Sequence, residues 1–256
     1  MDLKEKLVSS FLAFENKGVL DLDSNVHAIR SKAIQNFEKE GFPTKKDEEW
    51  KYTSLKSLVK NDFKLFPKTE KPVGFKDVRA YLINEIESYT LIFIDGVFSS
   101  FLSETTHEEC DVCTLSSALT RPKYKMVVDN YFNTIAKDNN SLAELNTAFS
   151  VEGAFINIPK NTIVPKPIQI LNFSTGSEKE AMLQPRNLVV VGENSHVQII
   201  ERHQNLSKNT VLTNTVTEIF VHKRAIVDFY KIQNDTENSS LIDSTFVSQK
   251  QQSIAS

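Results

Sequence analysis

The chain has 256 residues, of which 40% are hydrophobic and 25% charged, enough to bury one large core or two modest ones. Its 30 lysines and arginines nearly balance 33 aspartates and glutamates, for a net charge of −3, so no whole-protein field draws in nucleic acid or an anionic membrane, and neither is expected as a partner. The charged start Met1-Asp2-Leu3-Lys4-Glu5-Lys6 is not a secretory h-region, no run reaches bilayer-spanning length, and two cysteines are too few for a disulfide framework; a cytoplasmic protein is expected.

Leu3, Leu7, Phe11 and Phe14 recur at helical spacing and predict a first helix, stopped at Asn16-Lys17-Gly18. A second follows, with Asp23 or Ser24 as cap, a stripe of Val26, Ile29, Ala33 and Phe37, and Gly41 and Pro43 as terminators. In the aperiodic stretch after Gly41, Trp50 and Tyr52 are expected to anchor a loop onto the helices. Residues 68–87 read as a connector with a short helix. Leu91 to Phe98 joins an apolar run to an Asp95-Gly96 turn, a strand and hairpin signal. Another helix is expected after Pro122, and Ser141 with Glu144 forms a capping-box pattern before Leu142 to Phe149.

After residue 150 the chain turns to strands: Phe155 to Ile158, Ile168 to Phe173, Leu188 to Val191, Val197 to Glu201, Val211 to Val221, Ala225 to Ile232 and Leu241 to Val247. With no helix between them, these argue for a sandwich, barrel or solenoid. Leu188 to Val191 suits a strand covered on both sides, whereas the alternation of Thr213, Thr215 and Thr217 suits one wet face. Glycine is scarce at 7 residues, so turns must rest on Asn, Asp, Ser and Pro. The strand-rich end at Ser256 lacks a cap and is expected to continue in a longer protein. Three regions are expected: a helical one over 1–90, a mixed connecting one over 91–150, and strands over 151–256.

Cys110-Asp111-Val112-Cys113 has the C-x-x-C spacing of metal and redox sites. One pair is only half a tetrahedral site, His107, Glu108 or Glu109 would have to complete it, and the thioredoxin context is missing, so a structural role is expected. Glu201 and His203 share a strand face with Arg202 opposite, a pair of the kind usually found as a solvated surface contact; His196 has the other parity and His222 lies on another strand. There is no G-x-S-x-G, H-E-x-x-H, P-loop or dinucleotide-binding glycine motif, so any ATP must be handled by another chain.

Gly41-Phe42-Pro43-Thr44 through Glu49-Trp50-Lys51-Tyr52-Thr53, Phe93-Ile94-Asp95-Gly96, Leu145 to Phe149, and Pro185-Arg186-Asn187 through Arg202-His203 together resemble the SufB/SufD family of iron–sulfur cluster assembly scaffolds, on its SufD side. The resemblance implies an N-terminal helical region and a right-handed parallel β-helix (β-solenoid) core, cut short here, so that the chain is mainly β with an α-helical N-terminal region. It implies a non-catalytic scaffold that pairs with a SufB-type paralogue, couples to a SufC-type ATPase, and meets an iron–sulfur cluster only at the level of the complex, with a homodimer as the form in the absence of SufB. The family's cluster-linked histidine and cysteine and its ATPase-docking helices lie in a later portion with no counterpart before Ser256, so no catalytic, cofactor-binding or metal-binding residue is assigned. The rival is a β-helix acting on polysaccharide, which would need carboxylates in one exposed row; Glu201, Glu218 and Asp228 form no evident row.

Overall fold

The structure is a computed structural model that describes residues 2–15, 25–69, 72–105, 110–136, 140–176 and 178–256. Two N-terminal helices, α1 (Leu3–Glu15) and α2 (Asn25–Glu40), pack on each other. Asp2 and Glu5 form a reciprocal box at the start of α1, each carboxylate accepting from the other's backbone N–H at 2.8 and 3.1 Å. Leu3, Leu7, Phe11 and Phe14 are all buried, as their spacing predicts. Helix α2 ends where expected, with Gly41 in the left-handed region (φ 73°) donating to Phe37 O. The expected stop at 16–18 and the cap at Asp23 or Ser24 lie outside the described residues. In the loop that follows, Trp50 packs against the helical core, but Tyr52 is 89% exposed and anchors nothing.

Next come β1 (Lys64–Leu65), α3 (Phe75–Arg79), β2 (Tyr89–Ile94), β3 (Val97–Phe98), β4 (Asp111–Thr114), α4 (Leu115–Thr120), α5 (Pro122–Tyr131) and α6 (Ser141–Phe149). Strands β2 and β3 form the anticipated hairpin, with Asp95 and Gly96 both at positive φ as a two-residue turn of this kind requires. The capping of α6 differs from the reading of the sequence. Asn140 is the N-cap, its Oδ1 accepting from Ala143 N at 3.0 Å, while Glu144 turns away to accept from Asn36 Nδ2 at 3.1 Å. A packing partner on α2 thus competes for the carboxylate that a capping box would use.

The remaining strands are β5 (Ala154–Ile158), β6 (Ile168–Ser174), β7 (Glu180–Leu183), β8 (Arg186–Val191), β9 (His196–Asn205), β10 (Thr210–Val221), β11 (Ile226–Ile232), β12 (Ser239–Gln249) and β13 (Ile254–Ala255). They pair in parallel in two sheets: β5, β8, β10 and β12 along one, with β7 beside the first half of β10, and β6, β9, β11 and β13 along the other. Alternation between two parallel sheets makes a β-solenoid of about three turns. Asn187 hydrogen-bonds to Thr217, 30 residues on, which sets the coil length. Earlier segments extend both sheets: β1 pairs with β7, β2 pairs in parallel with β6, and β4 lies antiparallel to β5.

One corner of every coil uses the same device. Asn161, Asn194, Arg224 and Gln252 all sit near φ 60°, and each of the first three donates its backbone N–H to the next coil's corner, at Glu193, Lys223 and Gln251. Asn194 Nδ2 also donates to Asn161 Oδ1 at 2.8 Å and accepts at its own Oδ1 from Arg224 Nε at 2.6 Å. Asparagine tolerates the left-handed region and carries its own hydrogen bonds, which is how a glycine-poor chain turns so often. Gly153 occupies a place that only glycine fits: at φ 152°, a Cβ would lie 1.9 Å from Arg186 O.

Inside the solenoid, one half is apolar. Ile156, Ile170, Val189, Ile199, Ile219 and Val227 point inward from both sheets and pack together. The threonine face of β10 also points inward. Thr213, Thr215 and Thr217 are buried, while Val216 on the opposite face is covered by Ala136 and Ala143. The wet face expected for this strand is therefore a polar stripe of the interior, because the helical region covers what would have been the solvent side.

Candidate functional site

Two buried polar clusters stand out, one in the solenoid interior and one on its outer wall. The interior cluster is built by parity: Glu201 follows Val197 and Ile199 on the inward face of β9, and Lys231 is its register partner on β11. Lys231 Nζ lies 3.1 Å from Glu201 Oε2 and pairs also with Asp243 of β12. His203 Nε2 lies 3.2 Å from Glu201 Oε1, which also accepts from Asn187 Nδ2 at 2.9 Å. Burial alone would raise the Glu201 pKa, but the His203 hydrogen bond and the Lys231 ammonium outweigh it and hold the carboxyl at about 2.

The sequence places Glu201 and His203 correctly on one face with Arg202 opposite, where its guanidinium lies over Tyr81. Their expected character as a solvated surface pair is wrong: Glu201 is 1% exposed and His203 7%. A two-residue pattern reports that two side chains share a face and says nothing of which face the coils enclose. Lys231 and Asp243 were missed because only the coil register brings them to Glu201. Glu201, His203 and Asp243 each offer a ligating atom within 4.8 Å of the others. The cationic position among them is held by the Lys231 ammonium, so a divalent ion would have to displace it. His196 is outside, with Nε2 2.9 Å from Asp228 Oδ2, and His222 meets the Tyr131 hydroxyl at 2.8 Å.

The outer cluster centres on Arg186, fully buried at the start of β8. Its NH2 donates to Glu218 Oε2 at 2.6 Å and Asn133 Oδ1 at 3.1 Å, and its NH1 to Thr147 Oγ1 at 2.9 Å. The guanidinium also lies 5.0 Å over the Phe132 ring. Glu218 in turn accepts from the backbone N–H groups of Asn133, Ile135 and Ala136, at 2.8, 3.1 and 3.2 Å. Asn146 of α6 donates to Pro185 O and Asn214 O, at 2.9 and 2.8 Å. The network joins α6 and the loop after α5 to two successive coils. Two sequence segments quoted above, Leu145 to Phe149 and Pro185-Arg186-Asn187, thus meet in one buried lock, which short motifs viewed singly do not reveal.

Cys110 and Cys113 do not form a chelating pair. Cys110 packs into the solenoid core and Cys113 into the layer under α4 and α5, on opposite sides of β4. Burial pushes the Cys113 thiol up to about 11, which removes thiolate character at neutral pH. His107, Glu108 and Glu109 lie outside the described residues.

Residues 1–170 match the model of the SufBD protein N-terminal region, and residues 173–256 that of the SufBD core domain of the SUF system for FeS cluster assembly. The chain belongs to the SufBD family. It is 30% identical over 219 residues to an iron–sulfur cluster assembly SufBD family protein of Synechocystis, covering 82% of this chain and 48% of that one. A chloroplastic SufBD family protein of Arabidopsis thaliana is 30% identical over 151 residues, covering 56% of this chain and 26% of the relative. One of Staphylococcus aureus is 34% identical over 155 residues, covering 57% and 33%. The chain thus spans about half the length of the Synechocystis relative and less of the other two. The Arg186 lock bridges the two parts that the family models divide, with Asn133 and Thr147 in the first and Arg186 and Glu218 in the second.

Proposed function

We propose that this chain is part of a SufD-type scaffold in iron–sulfur cluster assembly, pairing with a SufB-type paralogue and coupled to a SufC-type ATPase. The observation that carries the reading is the joint match of both SufBD family models along a chain folded as a parallel solenoid. A stack of coils with a continuous core is a stiff body, suited to holding partners at fixed separation and passing on a movement made at one of them. The chain has no P-loop, so the ATP-driven step falls to the partner, and this subunit contributes position without catalysis. The cluster is cargo of the complex, held at residues beyond those of this segment, and the compartment is the cytoplasm. Without its SufB-type partner, the protein pairs with itself. Nucleic acid and membrane have no part in the reading, and among the described residues no helix is long and apolar enough to cross a membrane.

The polysaccharide alternative loses its reactive groups in this fold. Glu201 and Glu218 have fully buried side chains and Asp228 is engaged by His196, so these three carboxylates form no open row facing solvent.

Co-purification tests the reading. This chain and a full-length version are each expressed with SufB-type and SufC-type partners. The full-length protein is expected to retain both and the 256-residue chain to lose the ATPase. Failure of the full-length protein to retain the SufB-type partner would reject the assignment.

A further inference from the structure

Two open cavities of about 650 and 670 Å³ meet at Trp50, between the loop after α2 and the start of α6. They share Glu49, Trp50 and Asn140 as a common wall, so the indole stands at the junction of one groove. Trp50 packs against the helical core on one side and is only half-buried. Phe42 lines the first cavity, and Leu55, Leu58 and Ile242 line the second.

Charge in this groove is one-sided. Glu40, Asp47, Glu48 and Glu49 line the first cavity against one lysine, Lys46. Asp47 is engaged, accepting from Thr44 N at 2.6 Å and from Thr44 Oγ1 at 3.1 Å. Glu40, Glu48 and Glu49 are exposed, and among the described residues their carboxylates have no hydrogen-bond or ion-pair partner. Glu48 and Glu49 form one short helical turn with Trp50, so the ring and two carboxylates are offered together. Asp243, in the second cavity, is taken by Lys231. Ser141 adds an independent sign of a missing partner. It is only 8% exposed and lines the first cavity, and among the described residues its hydroxyl has no hydrogen-bond partner. Hydroxyls set this deeply are nearly always paired, and the groove is the side from which a partner can reach it.

We propose that this groove docks an extended segment of a partner protein that carries arginine beside apolar side chains. The guanidinium stacks on the open face of Trp50 and pairs with Glu48 and Glu49. The apolar neighbour enters the cavity walled by Leu55, Leu58 and Ile242, and a backbone carbonyl of the segment accepts from the Ser141 hydroxyl. The sign of the charge turns away phosphate, and with it nucleic acid and anionic lipid. A small polyamine would satisfy the carboxylates but leave the apolar walls of the second cavity wet. This surface goes beyond the scaffold reading and does not rest on it.

The test titrates the 256-residue chain with the peptide acetyl-GLRSRLG-amide and follows the emission of Trp50, the one tryptophan in the sequence. The emission change is expected to saturate with a Kd below about 1 mM at low salt, and the glutamine counterpart acetyl-GLQSQLG-amide and spermidine should each bind about tenfold more weakly. Glu48→Gln combined with Glu49→Gln should weaken peptide binding about fivefold or more. Both side chains are exposed, so the melting curve should stay that of the wild type; the comparison of probes on the wild-type chain decides the matter if that variant unfolds. Glu85→Gln combined with Glu237→Gln, exposed carboxylates outside the groove, should leave binding unchanged. Unmoved Trp50 emission up to about 10 mM peptide, equal affinity for the glutamine peptide or for spermidine, undiminished binding in a folded Glu48 and Glu49 double variant, or an equal loss in the Glu85 and Glu237 control would each overturn the proposal.

Discussion

Replacing Arg186 by Met tests whether the outer-wall lock holds the helical region to the solenoid. Arg186 and Glu218 both have side chains 0% exposed. Removing one member of a buried pair costs about 3–5 kcal/mol, because the other charge stays buried without its partner. Here Glu218 keeps three backbone N–H donors, from Asn133, Ile135 and Ala136, which places the expected loss near the lower end, about 3 kcal/mol. The second half of the argument concerns Glu218→Ala. It unpairs the arginine and those three N–H groups together, so it should cost more than Arg186→Met and should speed hydrogen exchange selectively at residues 133–136. Urea unfolding followed by circular dichroism measures both. With a slope of about 3 kcal/mol/M the Arg186→Met midpoint should fall by about 1 M at unchanged slope. A midpoint shift below about 0.3 M would mean that desolvation cancels the attraction within the pair, and the lock would then contribute specificity of docking rather than stability.

Glu201 makes stability depend on acid. Its folded pKa of about 2 lies below the ordinary glutamate value of 4.5, so its contribution is fully present above that ordinary value and lost as pH falls through the folded value; this amounts to roughly 3 kcal/mol. Melting temperature should therefore fall more steeply between pH 4.5 and 2 in the wild type than in Glu201→Gln, and parallel curves would reject the assignment. Gly153→Ala should destabilise by more than about 2 kcal/mol, through its left-handed φ and the collision with Arg186 O; a change under 0.5 kcal/mol, roughly that of an ordinary surface site, would show that β8 yields there. Cys113, with its thiol pushed up to about 11, should alkylate with iodoacetamide at pH 8 at under about one-tenth the rate of a free cysteine peptide. Peptide mass spectrometry reads that rate, and equal rates would show that the strand face under α4 and α5 is open.

The strands and helices were largely legible because each element carries its own period. The stripe of α1, the Asp95-Gly96 hairpin and the apolar run of β8 are local patterns with local causes. Shorter pieces escaped: β1 and β7 are two and four residues long and take their extended form from neighbouring strands, which no local window contains. The α6 cap was misassigned for a related reason, since Asn36 lies 108 residues from the Glu144 it engages.

By itself the sequence determined the switch from helices to strands near residue 150, the need to turn largely without glycine, and a series of segments that resemble one family. Which face of each strand is enclosed was decided only by the tertiary structure. Period-two alternation is symmetric between inside and outside, and the threonines of β10 and the Glu201–His203 pair read as solvent-facing until coiling put them within. The partners of Glu201 and Arg186 likewise depend on a coil register of about thirty residues, a length over which the chemistry of one side chain leaves no trace in the choice of the next.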